Sequence, residues 1–317
     1  MIILALVGII LAINIGVLAS WIYFLVLVTW SISMSPKLEW SAKYKIKIKP
    51  KVSIIVPARN EEGVILNCLQ SLLSQDYDNY EVIAIDDSST DKTLSIITRI
   101  SEKNHQLIPV KAPPMPDDWI GKNWACFQGY QKSSGEILLF TDADTIHKND
   151  SLSSAVNTMI HDGIDALSLV PKLICYDIIT KCTLPVLSVF LHSRYSPLRV
   201  NNPKNKIGYF FGSFYIISKE NYEKIGTHEK VRQELVEDGA LGRRVKEQKM
   251  KLKLVRGENY IEASWARDPR SLWHGLRRII IPLHKQQKKS AIMVTAFIFF
   301  ILLEPFLILP FTFYSYG

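Results

Sequence analysis

The sequence predicts an α/β domain built on a mainly parallel sheet with helices on both faces, flanked at each end by an apolar segment. Three observations carry that reading. Short β-branched runs alternate with stretches of helical period through the middle of the 317-residue chain. Three of these runs end in polar turns rich in carboxylates. The two ends are almost free of charge: there is none from Met1 to Pro36, and only Glu304 from Ser290 to Gly317.

Residues 1–36 read as an N-terminal transmembrane helix, since the apolar stretch is long enough to span a bilayer. It lacks the basic leader and short apolar core of a secretory signal. Residues 37–50 form a basic linker containing Lys37, Lys43, Lys45, Lys47 and Lys49. Lysines on that side alone put the N-terminus outside and the following domain in the cytoplasm, at the cell membrane.

The domain is expected over 51–256. Within it the pattern predicts strands at Val52–Val56, Tyr80–Ile85 and Glu136–Phe140, and helices over Glu62–Gln75, Asp91–Asn104, Gly121–Ser133 and Asp238–Gln248. This βαβα order is what makes the sheet mainly parallel. Residues 257–289 read as an interfacial amphipathic segment, with Leu272–Leu283 as its two-faced stretch and Arg277, Arg278, Lys285, Lys288 and Lys289 on the domain side. Residues 290–317 read as a second transmembrane segment, either one span or, because of Glu304 and Pro305, a re-entrant helix.

The net charge of +8 is thus mostly juxtamembrane, which favours anionic head groups over nucleic acid. Four cysteines without a close pair indicate neither a zinc site nor a disulfide framework. The seven histidines show no ligand spacing and read as ordinary.

In a parallel sheet ligands bind beyond the carboxyl ends of the strands. There the chain places Pro57, Arg59 and Glu61 after the first strand, Asp86 and Asp87 after the second, and Asp142 and Asp144 after the third. Asp91 is accounted for as a helix cap, while Asp86 and Asp87 exceed what a cap needs. Converging carboxylates repel one another unless a cation sits among them. Asp142 and Asp144, two residues apart, can face the same way and share a hard ion, Mg²⁺ or Mn²⁺; taken alone the triplet is equally a turn.

The segments Ser53–Glu62 (SIIVPARNEE), Ile85–Asp91 (IDDSSTD), Asp142–Asp144 (DAD) and Glu237–Asp238, in this order, resemble the family 2 inverting glycosyltransferases of GT-A fold. Membrane-attached members such as hopanoid-associated and ceramide-type glucosyltransferases are most similar in pattern. The likeness extends to Trp119–Trp124 (WIGKNW) and to Tyr222–Gly226 through Arg244, and so covers roughly 52–256. It implies a Rossmann-like domain that binds a nucleotide-sugar, UDP-linked by preference, and transfers the sugar to a lipid acceptor at the membrane.

By the same resemblance, Asp87 contacts the base with Pro57, Arg59 and Glu61 around it. Asp142 and Asp144 hold metal and diphosphate, and Asp238 is the general base. Lys122 suits a contact to a donor phosphate or to the sugar. One carboxylate reaching the cleft suffices to deprotonate an acceptor, although Glu237 and Asp238 also suit a helix N-terminus as such.

The chain departs from the family in lacking the Gln-x-x-Arg-Trp element. Arg270 and Trp273 offer Arg and Trp at another spacing, and Ser213 stands where relatives often carry a polar acceptor contact. Other readings are a processive polysaccharide synthase, a polyprenyl-phosphate sugar synthase, and a non-catalytic nucleotide-sugar-binding regulator.

Overall fold

The computed structural model describes residues 2–39 and 49–286, with the single positions 292 and 296. Most of the basic linker and of the C-terminal apolar segment therefore lies outside the described residues. The chain divides into two units, one of Met1–Met34 with the residues from Trp273 onward, the other Ser35–Leu272.

In the first unit, helix α1 (Ile2–Met34) is apolar along its length. Leu11–Met34 is long and apolar enough to cross a membrane, with a mean hydropathy of 2.3. In the second unit the chain runs β1 (Val52–Ala58), α2 (Ile65–Leu73), β2 (Tyr80–Asp86), α3 (Thr93–Ser101), β3 (Leu107–Lys111), α4 (Asn123–Lys132), β4 (Ile137–Phe140), β5 (Thr145–His147) and α5 (Ser151–His161). It continues through β6 (Ala166–Val170), β7 (Lys172–Leu173), α6 (Ile178–Tyr195), α7 (Pro197–Val200), β8 (Tyr215–Ser218), α8 (Lys219–Lys224), α9 (Glu237–Glu247), β9 (Leu252–Arg256) and β10 (Ile261–Ala263). Helix α10 (Pro269–Gln286) crosses the boundary between the units.

The main sheet has the order β3-β2-β1-β4-β8-β6-β9. All its pairings are parallel except those of β8, which runs antiparallel between β4 and β6. The expected mainly parallel sheet is therefore present, with one reversed strand that the sequence pattern did not reveal. A small second sheet, β5-β10-β7, lies just past the carboxyl end of β4.

Both faces of the main sheet are covered, because β1 alternates its side chains between two cores. Ile54 and Val56 pack with Leu69, Ile97 and Val156 from α2, α3 and α5. Ile55 packs with Ile83, Cys126 and Leu241 on the opposite face, under α4 and α9. The central strands are buried on both sides, which is why they read as continuous apolar runs.

Helices α2 and α3 start two or three residues later than the pattern suggests. The intervening residues are spent on loop contacts: Val64 and Ile65 both donate to the Glu61 carbonyl, at 3.0 and 2.9 Å. Strand β3 was not expected at all. It is an edge strand with Pro109 in it and alternating exposure, a position where a missing N–H costs little.

Candidate active site

The loops after β1 and β2 are laced together before either can present a side chain. The Asp87 N–H donates to the Ala58 carbonyl (2.8 Å) and the Asn60 N–H to Ser89 Oγ (3.0 Å). In return the Thr90 N–H donates to Asn60 Oδ1 (2.8 Å). Asn60 holds a left-handed backbone, φ 57°, which asparagine tolerates better than most residues. Asp91 caps α3 through the Thr93 N–H (2.9 Å) and also accepts from the Glu62 N–H (3.0 Å), so it is structural, as expected.

With that frame satisfied, Asp86 and Asp87 are left over. Asp86 is 1% exposed, and its Oδ1 has no hydrogen-bond partner among the described residues. A buried carboxylate oxygen without a donor is costly unless a ligand supplies one. Asp87 is buried beside it, with Arg59 Nη1 4.0 Å away. Burial raises the Asp87 pKa, Arg59 opposes this and Asp86 reinforces it. Pro57 stands opposite Ile85 in the β1–β2 register, one residue before Asp86 on the neighbouring strand.

A second cluster forms around Lys122, and the WIGKNW segment explains how it is positioned. Gly121 takes φ +57° just ahead of α4. The Asn123 side chain then donates to the carbonyls of Val231, Arg232 and Glu234 at 3.1, 3.2 and 3.1 Å. That clamp ties the start of α4 to the loop that leads into α9, where Glu237 and Asp238 lie. Trp119 and Trp124 on either side of this segment meet edge to face at 5.0 Å.

Lys122 Nζ reaches Asp142 Oδ1 at 2.7 Å and Glu237 Oε1 at 2.8 Å. Gly212 marks the centre. A Cβ at that position would stand 2.9 Å from Asp238 Oδ2, 2.9 Å from Lys122 Nζ and 3.1 Å from Asp142 Oδ2. Three side chains, from the residue before α4, the β4–β5 turn and α9, thus surround one glycine.

Burial alone would lower the Lys122 pKa, but Asp142 and Asp238 outweigh it and hold the ammonium above the usual lysine value. Burial raises the Asp238 pKa; Lys122 and the N–H groups of Gly239 and Gly212 pull it back without cancelling the rise. The Gly239 N–H lies 2.7 Å from Asp238 Oδ1.

Asp144 lies in the same turn, within the electrostatic reach of Asp142, Glu61 and Arg267. Burial, then Asp142 and Glu61, push its carboxyl up to about 7, against Arg267 and Lys122. Glu61, expected to line the same pocket as Asp87, is ion-paired with Arg267. Arg270 and Trp273 belong to the same stretch as Arg267. Both are exposed, and Arg270 acts on Asp268, outside the cluster. Arg267 was passed over, and only the tertiary fold brings it to Glu61.

Ser213 is buried with its hydroxyl unpartnered among the described residues, while its carbonyl accepts from Thr141 Oγ1 at 2.7 Å. It thereby fixes the Gly212 turn against β4. Burial and the charges of Asp142, Asp238 and Asp87 push the buried thiol of Cys126 up to about 12, opposed by Lys122. His147 and His228 lie in the core and serve structure, as expected.

Among the described residues no three or more His, Cys, Asp or Glu side chains gather as a metal site by themselves. Asp142 and Asp144 offer hard oxygens in a region of excess negative potential, the donor chemistry of an ion that shares its shell with phosphate and water.

Residues 53–226 match the family model described as Glycosyl transferase family 2. An uncharacterised glycosyltransferase of Haemophilus influenzae is 34% identical over 115 residues, 36% of this chain and 44% of that protein. The 4,4'-diaponeurosporenoate glycosyltransferase of Staphylococcus aureus is 26% identical over 258 residues, 76% of this chain and 65% of that protein. The chain thus spans less than two thirds of the length of either relative. Among solved structures, the mannosyltransferase PcManGT from Pyrobaculum calidifontis, in complex with GDP-Man and Mn²⁺, superposes with a TM-score of 0.62 at 19% identity. That match covers 93% of this chain and 82% of the other, and at this identity it speaks for the fold.

Proposed function

This chain belongs to glycosyl transferase family 2, and from that membership we propose a membrane-attached inverting transferase that moves a sugar from a nucleotide-sugar, UDP-linked by preference, to a lipid acceptor. The observation that carries the reading is the convergence of Lys122, Asp142 and Asp238 on Gly212.

The chemistry divides between the two clusters. The unpartnered oxygen of Asp86 and the buried Asp87 suit hydrogen-bond donors of a base or ribose. Asp142 and Asp144 would hold a divalent cation, Mg²⁺ or Mn²⁺, which when bound neutralises charge on the leaving diphosphate. Lys122 supplies a fixed positive charge to the same region. Asp238, whose proton affinity burial has raised, takes the proton of the acceptor hydroxyl. The acceptor oxygen then bonds to the anomeric carbon on the face opposite the phosphate, the bond from carbon to phosphate oxygen breaks, and the nucleoside diphosphate leaves with the electron pair. One carboxylate is enough, because inversion is a single displacement.

Membrane attachment is supported by α1, whose apolar side chains, Ile9, Leu18 and Trp30 among them, are exposed. With lysines following that helix, the domain belongs on the cytoplasmic side and the N-terminus outside. The relative named for 4,4'-diaponeurosporenoate supports a lipid as acceptor.

The test is a thermal-shift panel of UDP- and GDP-sugars on the full chain in detergent, with and without Mn²⁺, because a ligand of the native state raises the melting temperature by mass action. One donor is expected to raise it, and more so with Mn²⁺. If no donor shifts the melt and none is consumed in the presence of membrane lipid, the proposal is wrong.

A further inference from the structure

The second unit exposes an apolar patch that the transfer chemistry does not use. Ile178 and Ile179 open α6 at 72% and 52% exposure, and Leu173, Tyr176 and Trp265 are exposed as well. Leu173, Tyr176 and Trp265 gather at the small sheet, and Ile178 and Ile179 follow Tyr176 within three residues. Leu173 pairs with Ala263 in the small sheet, Tyr176 Oη lies 2.9 Å from Ser264 Oγ, and Trp265 follows Ser264. Asp177 caps α6 through the Thr180 N–H at 2.9 Å, so the two isoleucines are held outward on a defined helix start. Contiguous exposed apolar surface of this kind marks an interaction site, unlike single scattered residues.

Two further observations say what covers it. At the start of α6 the cation Lys181 follows Ile179 by two residues, and Arg194, Arg199, Lys204 and Lys206 lie at or beyond the far end of the helix. Lys172 is paired with Glu262, and Lys181, Arg194 and Arg199 are exposed. Apolar side chains with Tyr and Trp among them and the exposed Lys181 beside them match an anionic lipid surface, where rings and basic groups sit at head-group level. The unit also begins at Ser35, the residue after α1, so the chain tethers it to whatever α1 is embedded in.

The patch borders the catalytic cluster. The Ser264 N–H donates to the Asp144 carbonyl at 3.3 Å, so Tyr176 and Trp265 sit one hydrogen bond or one residue away from the Asp142–Asp144 turn. We propose that the start of α6, with Leu173, Tyr176 and Trp265, docks on an anionic bilayer and sets the Asp144 rim of the cleft at the head-group plane. A membrane-dissolved acceptor then meets the cleft by lateral diffusion, at a raised effective concentration. This rests on the transferase reading for its purpose, though not for its measurement.

The test uses the full chain with Cys175 and Cys182 replaced by serine, leaving the buried Cys68 and Cys126 in place. Ile179→Cys, or Lys103→Cys as an exposed control after α3, carries a fluorescent label, and the protein is reconstituted into vesicles of phosphatidylglycerol and phosphatidylcholine with brominated acyl chains. The expected result is at least twofold quenching at position 179, little at 103, and less quenching at 179 when the anionic lipid is left out. No quenching at 179 would overturn the proposal, and would mean that residues 290–317 or a second copy cover the patch. The donor thermal shift on the same sample reads the transferase proposal separately, so either idea can fail without the other.

Discussion

Lys122 Nζ lies 2.7 Å from Asp142 Oδ1, so the carboxylate at the head of the DAD triplet is already neutralised by the side chain that precedes α4. The same ammonium contacts Glu237 at 2.8 Å. One cation thus balances carboxylates from two distant elements. Lys122→Met keeps the stem and removes the charge. Loss of a preorganised charge near the leaving group is expected to lower kcat about 10²-fold. The half-saturating Mn²⁺ concentration is also expected to shift, because Asp142 is released. Steady-state rates across a Mn²⁺ titration check both; unchanged rates would mean that Lys122 only packs.

Asp238→Asn tests the base. The amide keeps the shape and can still accept from the Gly239 N–H, but it cannot take a proton. General-base catalysis contributes about 10² to 10⁴-fold, so kcat should fall within that range. Donor binding by thermal shift should persist, since the groups around Asp86 and Asp87 are untouched. A variant that loses binding along with turnover would point to a structural part for Asp238.

Gly212→Ala puts a methyl 2.9 Å from both Asp238 Oδ2 and Lys122 Nζ, closer than real Cβ contacts come. Both are side-chain ends, so the fold can adjust, but only by moving the base or the ammonium. A displacement of about 1 Å at reacting groups can cost 10²-fold in rate. The expected outcome is a kcat loss of that order with a melting temperature close to that of the unaltered chain. A normal kcat would show that the cluster has slack.

Much of this was legible in the sequence because buried parallel strands leave continuous apolar runs, and Asp86, Asp87, Asp142 and Asp144 stand directly after them. Asp91 was also readable, since a cap is a local device. What escaped depends on partners far along the chain. Gly212 looks like any loop glycine until Lys122, Asp142 and Asp238 are folded around it. Arg267 meets Glu61 across roughly two thirds of the chain, and nothing local favours it over Arg270. The exposed start of α6 escaped for another reason: its isoleucines have the composition of a core helix, and only their exposure tells them apart.

The last prediction concerns pH and two histidines outside the cluster. Burial lowers the pKa of His147 from 6.5 to about 3, and that of His228 likewise, with Lys122 adding to the effect at His228. Both rings are neutral in the native state, while in the unfolded chain they protonate near 6.5. Below that pH the unfolded state binds more protons, so their contribution to stability is lost as pH falls from 6.5 toward 3. Asp144, raised from 3.8 to about 7, acts oppositely, since the native state holds a proton there that the unfolded chain has released. The pH profile of the unaltered chain is therefore a difference of opposing terms, and a variant is needed to separate them. At pH 5.5, one unit below the unfolded histidine value, one buried neutral ring costs about 1.4 kcal/mol relative to pH 7.5 and above. That figure does not depend on how far below 5.5 the native pKa lies. His228→Asn is expected to be less stable at pH 7.5, because the ring's contacts with Tyr215 and Tyr222 are lost. Its loss of stability between pH 7.5 and 5.5 should nevertheless be smaller than that of the unaltered chain by about that amount. Chemical denaturation of both full chains in detergent at the two pH values measures the difference, and an identical drop in each would mean that His228 is protonated in the folded protein.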